Sequence, residues 1–180
     1  MIHPILFTGH MIDRADRKEP RFPADKEMGV RRAIFTTLAK EQLSSPALKG
    51  IAGGACGGDM LFHEVCLELG IPSEIYLAFE PEEFKKHSVS FAGPDWEERF
   101  DRLIDRLPFH VLPTRNSQDN VWAATNRWML DTALDIGSQQ TTLMALWDEK
   151  KADGPGGTQD MIDTAKNKGA KTLVLRIQDI

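Results

Sequence analysis

The chain has 180 residues, 41% hydrophobic and 27% charged, with 22 Lys+Arg against 27 Asp+Glu and a formal net charge of −5. Apolar residues spread from end to end exclude disorder for most of the chain, and the acidic balance argues against a binder of nucleic-acid backbones. Two cysteines, Cys56 and Cys66, are too few for a disulfide scaffold and form no CxxC metal pair, so reduced thiols in a cytoplasmic protein are expected.

The run Ile5-Leu6-Phe7-Thr8 predicts a first strand stopped by Gly9. The segment before it has no basic start of the kind a signal peptide needs. Val30, Ile34 and Leu38 at i, i+4, i+8 predict a helix over 23–43 with Pro23 in its first turn. Gly50–Gly53 reads as a short second strand. The glycine cluster Gly53–Gly58, with Asp59, then opens a helix that carries Leu61, Val65 and Leu69 on one face and ends at a left-handed Gly70. Ile75–Phe79 is a third strand, and Pro81 starts a short helix. Asp95 and Glu98 have the spacing of a capping box ahead of the stripe Trp96, Phe100, Leu103, Ile104, Leu107. Phe109–Leu112 is a fourth strand, and Val121, Thr125, Trp128, Thr132 and Ile136 mark a long helix. Leu143–Trp147 is a fifth strand that stops at Asp148. Gly154-Pro155-Gly156-Gly157-Thr158 opens a helix with Met161, Ile162 and Ala165, closed near Gly169, and Leu173–Ile177 is the last strand. Loops are expected at 14–20, 113–119 and 149–153. No run reaches the about 18 apolar residues of a membrane span. Strands alternating with helices predict an α/β fold over residues 1–180 as one domain, with a mainly parallel sheet of about six strands covered on both faces.

In such sheets ligands bind at the carboxyl ends of the strands. Three ends are polar or glycine-rich: Gly9, His10 and Asp13 after the first strand; Gly53, Gly54, Gly58 and Asp59 after the second; Asp148 and the 154–158 turn after the fifth. A glycine turn ahead of a helix lets backbone N–H groups approach an anion. The same glycines also serve tight turns and close packing. Neither turn carries the GK[ST] of a P-loop or the GxGxxG of a first-strand dinucleotide site. His10 reads as a structural hydrogen-bonder or a site residue, and Asp59 and Asp148 as ribose acceptors or helix and loop caps. Asp13 and Glu64 are carboxylates open to acid–base work. Cys56 precedes a helix in a glycine loop, where a thiolate is stabilised, but has no assigned base. Trp96, Trp122 and Trp128 have core-like spacing. Arg14, Arg17, Lys18 and Arg21 read as a solvated loop or as a lid over a phosphate. Nothing calls for a metal or a cofactor.

Gly9-His10-Met11-Ile12-Asp13, Arg21-Phe22-Pro23 and Ala55-Cys56-Gly57-Gly58-Asp59 resemble the SLOG superfamily of Rossmann-like nucleotide-binding domains. Phe84, Trp96, Arg99-Phe100, Asn126, Leu146-Trp147-Asp148 and Asp153–Thr158 extend the resemblance over nearly the whole chain. That superfamily includes the LOG cytokinin-activating enzymes and the DprA-type proteins, and the chain is more similar to its bacterial sensor-like branch, found beside signalling modules. The resemblance implies a single Rossmann-like three-layer domain. It implies a cleft for a nucleotide-like small molecule built from Gly9, His10, Gly53, Gly54, Gly58, Asp59, Asp148, Gly154, Gly156, Gly157 and Thr158, in a protein that forms homodimers in similar cases. Superfamily enzymes cleave an N-glycosidic bond of a nucleoside monophosphate with a Pro-Gly-Gly-x-Gly-Thr-x-x-Glu motif. Here Pro155-Gly156-Gly157-Thr158 lacks the x-Gly, and Met161 stands where Glu is expected, with Asp160 one position early. The expectation is a binding or sensor domain. The alternatives are an N-glycosidase or phosphoribohydrolase using Asp148, Asp160 or Glu64, and an interaction subunit with a vestigial cleft.

Overall fold

Alternation along the first strand sets the architecture. In β1 (His3–Gly9), Ile5 and Phe7 belong to the core on one face of the sheet and Leu6 to the core on the other. All three are fully buried, as in a strand covered on both sides. A computed structural model of the chain describes residues 2–113, 120–137, 140–150 and 157–180. The other strands are β2 (Leu48–Ala52), β3 (Ser73–Leu77), β4 (Phe109–Val111), β5 (Thr142–Trp147) and β6 (Lys171–Arg176). They join β1 in one parallel sheet of order β4-β3-β2-β1-β5-β6.

Among the described residues six α-helices cover it: α1 (Glu27–Ser44), α2 (Gly58–Leu69), α3 (Pro81–Ser88), α4 (Pro94–Arg106), α5 (Val121–Gly137) and α6 (Thr158–Asn167). Val30, Ile34 and Leu38 of α1, Leu61 and Val65 of α2 and Phe100 of α4 pack over Ile5, Phe7 and Leu77. Met129 and Leu130 of α5 and Met161 and Ile162 of α6 pack over Leu6, Ile51 and Leu143. The result is an α/β, Rossmann-like arrangement of three layers. No helix among the described residues is long and apolar enough to cross a membrane.

Two local expectations are corrected. Helix α4 starts at Pro94, with Gly93 ahead of it and no side-chain cap, because proline's fixed φ and missing N–H suit the first helical position. Asp95 is therefore inside the helix, 3.5 Å from Arg99 rather than capping. Cys56 is buried, and burial pushes its thiol up to about 12, which removes the thiolate reading. Gly70 ends α2 as expected, with φ 66° and the Ile71 amide donating to the Cys66 carbonyl at 2.8 Å.

From β1 the strand order runs outward through β2 and β3 to β4, then returns to β5 on the other side of β1. The reversal falls between β1 and β5, where Gly9 pairs with Leu146. A crevice forms at this point because the following connections diverge to opposite faces.

Candidate functional site

A cleft of about 680 Å³ opens at the carboxyl ends of β1 and β5, within the range of small-molecule sites. Its wall draws on Gly9 and His10, the loop after β1, Asp59 in the first turn of α2, Trp122 and Asn126 at the start of α5, and Gly157, Thr158 and Gln159 at the start of α6.

The loop from 13 to 22 is closed by its own backbone. The Asp13 amide donates to the Phe22 carbonyl at 2.8 Å, and Asp13 Oδ2 accepts from the amides of Arg21 and Phe22, each at 2.9 Å. Phe22 is fully buried beneath. Arg14, Arg17 and Arg21 are thereby carried to the cleft wall. The Arg14 guanidinium lies 4.2 Å from the centre of the Phe91 ring, and Arg17 Nε donates to the Glu19 carbonyl at 2.8 Å. The loop is exposed over residues 14–20, and three of its arginines reach the cleft wall.

Asp148 joins the two strand ends. Its Oδ1 lies 3.0 Å from His10 Nε2 and accepts from the Lys150 amide at 3.1 Å. Its Oδ2 pairs with Arg21 Nε at 3.1 Å without an aligned hydrogen bond. The side chain is only 7% exposed, and Asp148 does not border the cleft, whereas His10 and Arg21 do. Burial acts to raise its carboxyl, but the Lys150 amide, His10 and Arg21 outweigh it and hold it below the usual range. An ionised carboxylate only accepts, so Nε2 of His10 carries the proton and Nδ1 is the open nitrogen. Burial depresses the His10 imidazole despite the adjacent carboxylate, so the ring is neutral at pH 7.

The first glycine turn does not reach the cleft. Gly53 packs against Asp59, where an added Cβ would lie 2.6 Å from Oδ2. Gly54 faces Leu77, Phe100 and Ile75, and Gly58 faces the Phe7 ring and the His10 carbonyl. The segment after β1 folds across this turn: the Gly58 amide donates to the His10 carbonyl at 3.1 Å, and the Ile12 amide to the Cys56 carbonyl at 3.1 Å. Gly57, with φ 106°, lets that segment in, since a Cβ there would meet Ile12 N at 2.5 Å. The space beside Gly53, Gly54 and Gly58, expected to face an anion, is thus taken up by Asp59, core side chains and the His10 carbonyl. Gly154 and Gly156 lie outside the described residues. Gly157 precedes α6, and among the described residues no side chain caps the helix; Gly157, Thr158 and Gln159 of its start border the cleft.

The carboxylates named from the sequence separate clearly. Glu64 is held by Arg99, which donates to both its oxygens at 2.8 and 2.9 Å and to Glu27 at 2.8 Å while stacking on Trp96. Asp160 is exposed, and Met161 is packed in the core under α6. Asp59 does border the cleft. Trp122, expected in the core, is 39% exposed. Asn120 Oδ1 accepts from the Trp122 and Ala123 amides at 3.0 and 3.1 Å, capping α5, and the first two turns present Trp122 and Asn126 to the cleft. Lys150, Gln159, Phe91 and Trp122 were not singled out as site residues; an aromatic in the first turn of a helix that follows a strand end was the available signal for Trp122.

No family model and no curated protein sequence matches the chain. Among solved structures it is similar to the X-ray structure of DNA processing protein A (DprA) from Streptococcus pneumoniae, at 16% identity and a TM-score of 0.40. The match covers 99% of this chain and 60% of that one, so the chain spans less than two thirds of that protein's length.

Proposed function

We propose that this chain is a binding domain for a nucleotide or nucleotide-derived ligand, held in the cleft between β1 and β5 without being turned over. The observation that carries the reading is the make-up of one wall. A helix start at Gly157 and Thr158, with no side-chain cap among the described residues, together with Arg14, Arg17 and Lys150 suits a phosphate, and Trp122 and Phe91 offer flat apolar surface to a base. Asp148 acts behind the wall, fixing His10 and Arg21 rather than touching ligand. The ties on Glu64 and the outward position of Asp160 leave neither available for cleavage.

One observation favours the alternative of N-glycosidic cleavage. Asp59 borders the cleft with its carboxyl pushed up to about 7 by burial, a trait of general acids. Incubation with AMP and chromatography for free adenine separates the two.

The test of the binding reading is native mass spectrometry of the purified protein for a carried nucleotide, then calorimetry with AMP. Gly157→Val places a branched side chain where the phosphate is expected and should abolish AMP binding with the circular dichroism spectrum unchanged. Equal affinity in the folded variant removes the phosphate role of this turn.

A further inference from the structure

The two ring nitrogens of His10 stand in different circumstances. Nε2 is held 3.0 Å from Asp148 Oδ1. Asp148 lies behind the cleft wall, tied in turn to the Lys150 amide and to Arg21 Nε, each at 3.1 Å. A carboxylate flanked by a guanidinium and an amide is ionised and only accepts, so Nε2 carries the ring proton and Nδ1 is an acceptor. Among the described residues Nδ1 has no hydrogen-bond partner, yet it is not sealed from solvent. The ring borders the cleft with its side chain 14% exposed. Much of the wall around it donates: Arg14, Arg17 and Lys150 are cations. Two nearby carboxyls are turned to the protein itself. Asp13 accepts two loop amides, and Asp59 directs Oδ2 to Gly53 and the Ala55 amide. An acceptor fixed among donors calls for a ligand that carries a donor beside its anionic group.

We propose that Nδ1 of His10 accepts a hydrogen bond from a ribose hydroxyl, so that the cleft takes ribonucleotides in preference to their deoxy counterparts. The inference rests on the nucleotide reading above. The topology puts the acceptor where a ribose falls. Trp122 packs on Phe79, just past the end of β3, with ring centres 5.6 Å apart. The start of α6 follows β5. Between them in the sheet lie β2 and β1, and His10 directly follows β1. At about 4.8 Å per strand, His10 stands about 10 Å along the sheet edge from the aromatic end and about 5 Å from the phosphate end. A nucleoside monophosphate laid along that edge has its ribose between the two, with a hydroxyl to donate and no competing cation on the sugar.

The surroundings keep this acceptor in place. Asp148 fixes the tautomer and the ring's orientation, and Arg21 fixes Asp148; both are positioning residues. The His10 carbonyl takes the Gly58 amide at 3.1 Å, which anchors the backbone beneath the ring. Burial depresses the imidazole; Asp148 opposes that, while Arg21 and Arg17 add to it. The ring therefore stays neutral at pH 7 and Nδ1 keeps its lone pair.

The experiment is calorimetric titration of AMP, 2′-deoxy-AMP and 3′-deoxy-AMP into the whole chain and its His10→Gln and His10→Phe variants, with folding checked by circular dichroism. AMP should bind the unaltered chain at least about fivefold more tightly than one of the two deoxy forms, the loss expected when one hydrogen bond goes unmade. Gln can still donate to Asp148 in place of Nε2 but sets no acceptor where Nδ1 stood, and Phe removes both. In each folded variant AMP and that deoxy form should bind within about twofold of each other. A long-range nitrogen–proton spectrum of the unaltered chain needs no variant: the His10 Nδ1 resonance should shift with AMP and stay in place with the discriminated deoxy form. Equal affinities of the unaltered chain for all three nucleotides overturn the role of His10 and leave the cleft reading standing. So does an Nδ1 resonance that AMP leaves unmoved, or a preference that survives in a folded variant, where AMP and deoxy affinities fall together as a purely structural role requires. No binding of any of the three overturns both.

Discussion

Asp59→Asn makes a prediction for the empty protein. A carboxyl whose folded-state pKa is about 7 against an ordinary 3.8 binds its proton more tightly folded than unfolded. Its contribution to stability is therefore complete below pH 3.8 and is lost as pH rises through about 7. A shift of about three units at about 1.4 kcal/mol each sets an upper bound of about 4 kcal/mol. Asp59 borders the cleft and is only half-buried, so about half of that, about 2 kcal/mol, is the expected loss by pH 8. Asn is isosteric and does not titrate. Thermal unfolding followed by circular dichroism should give equal midpoints for the two proteins at pH 4. The variant should lead by about 4–8 °C at pH 8. A midpoint difference that stays constant from pH 4 to pH 8, or a variant that is less stable at pH 8, refutes the assignment of an isolated, desolvated carboxyl.

Gly57→Ala forces a side chain into a positive-φ position 2.5 Å from Ile12 N and should cost about 2–4 kcal/mol in urea unfolding while weakening AMP binding; a loss below about 0.5 kcal/mol contradicts the packed-turn account. Asp148→Ala removes the carboxylate that His10 and Arg21 pair with and should cost about 3 kcal/mol at pH 7. Because the folded-state carboxyl is depressed, this gap should shrink as pH falls below 3.8, and a pH-independent gap counts against the pairing. AMP incubated with the protein should yield no free adenine, and Asp160→Asn should change nothing; release that stops in Asp59→Asn would install the hydrolase reading with Asp59 as its acid.

The fold was legible because burial on both faces makes each strand a short apolar run, and glycine or a polar residue stops it at the site edge. Gly9 and His10, which border the cleft, and Asp148 behind them stand at such strand ends. What the sequence did not show is which side of a glycine matters. Gly53, Gly54 and Gly58 have the spacing of an anion turn, yet the space of their missing side chains is filled by Asp59, core side chains and the His10–Ile12 segment. Glu64 looked available because its partner Arg99 lies 35 positions away in the chain. Asp148 looked like a contact residue because the His10 that covers it lies 138 positions away. Trp122 fell outside the buried face of α5, where Thr125, Met129, Leu130 and Ala133 are buried, and this offset is the pattern that marks it for the cleft.

The most direct test of the central claim is a nitrogen–proton correlation spectrum recorded while AMP is added. The account predicts that the amides of Gly157, Thr158 and Gln159, those of the 13–22 loop, and the Trp122 indole shift together along one saturating curve. Saturating shifts confined to another surface, such as the groove beside Val174 and Ile180, or no shifts at millimolar AMP, contradict it.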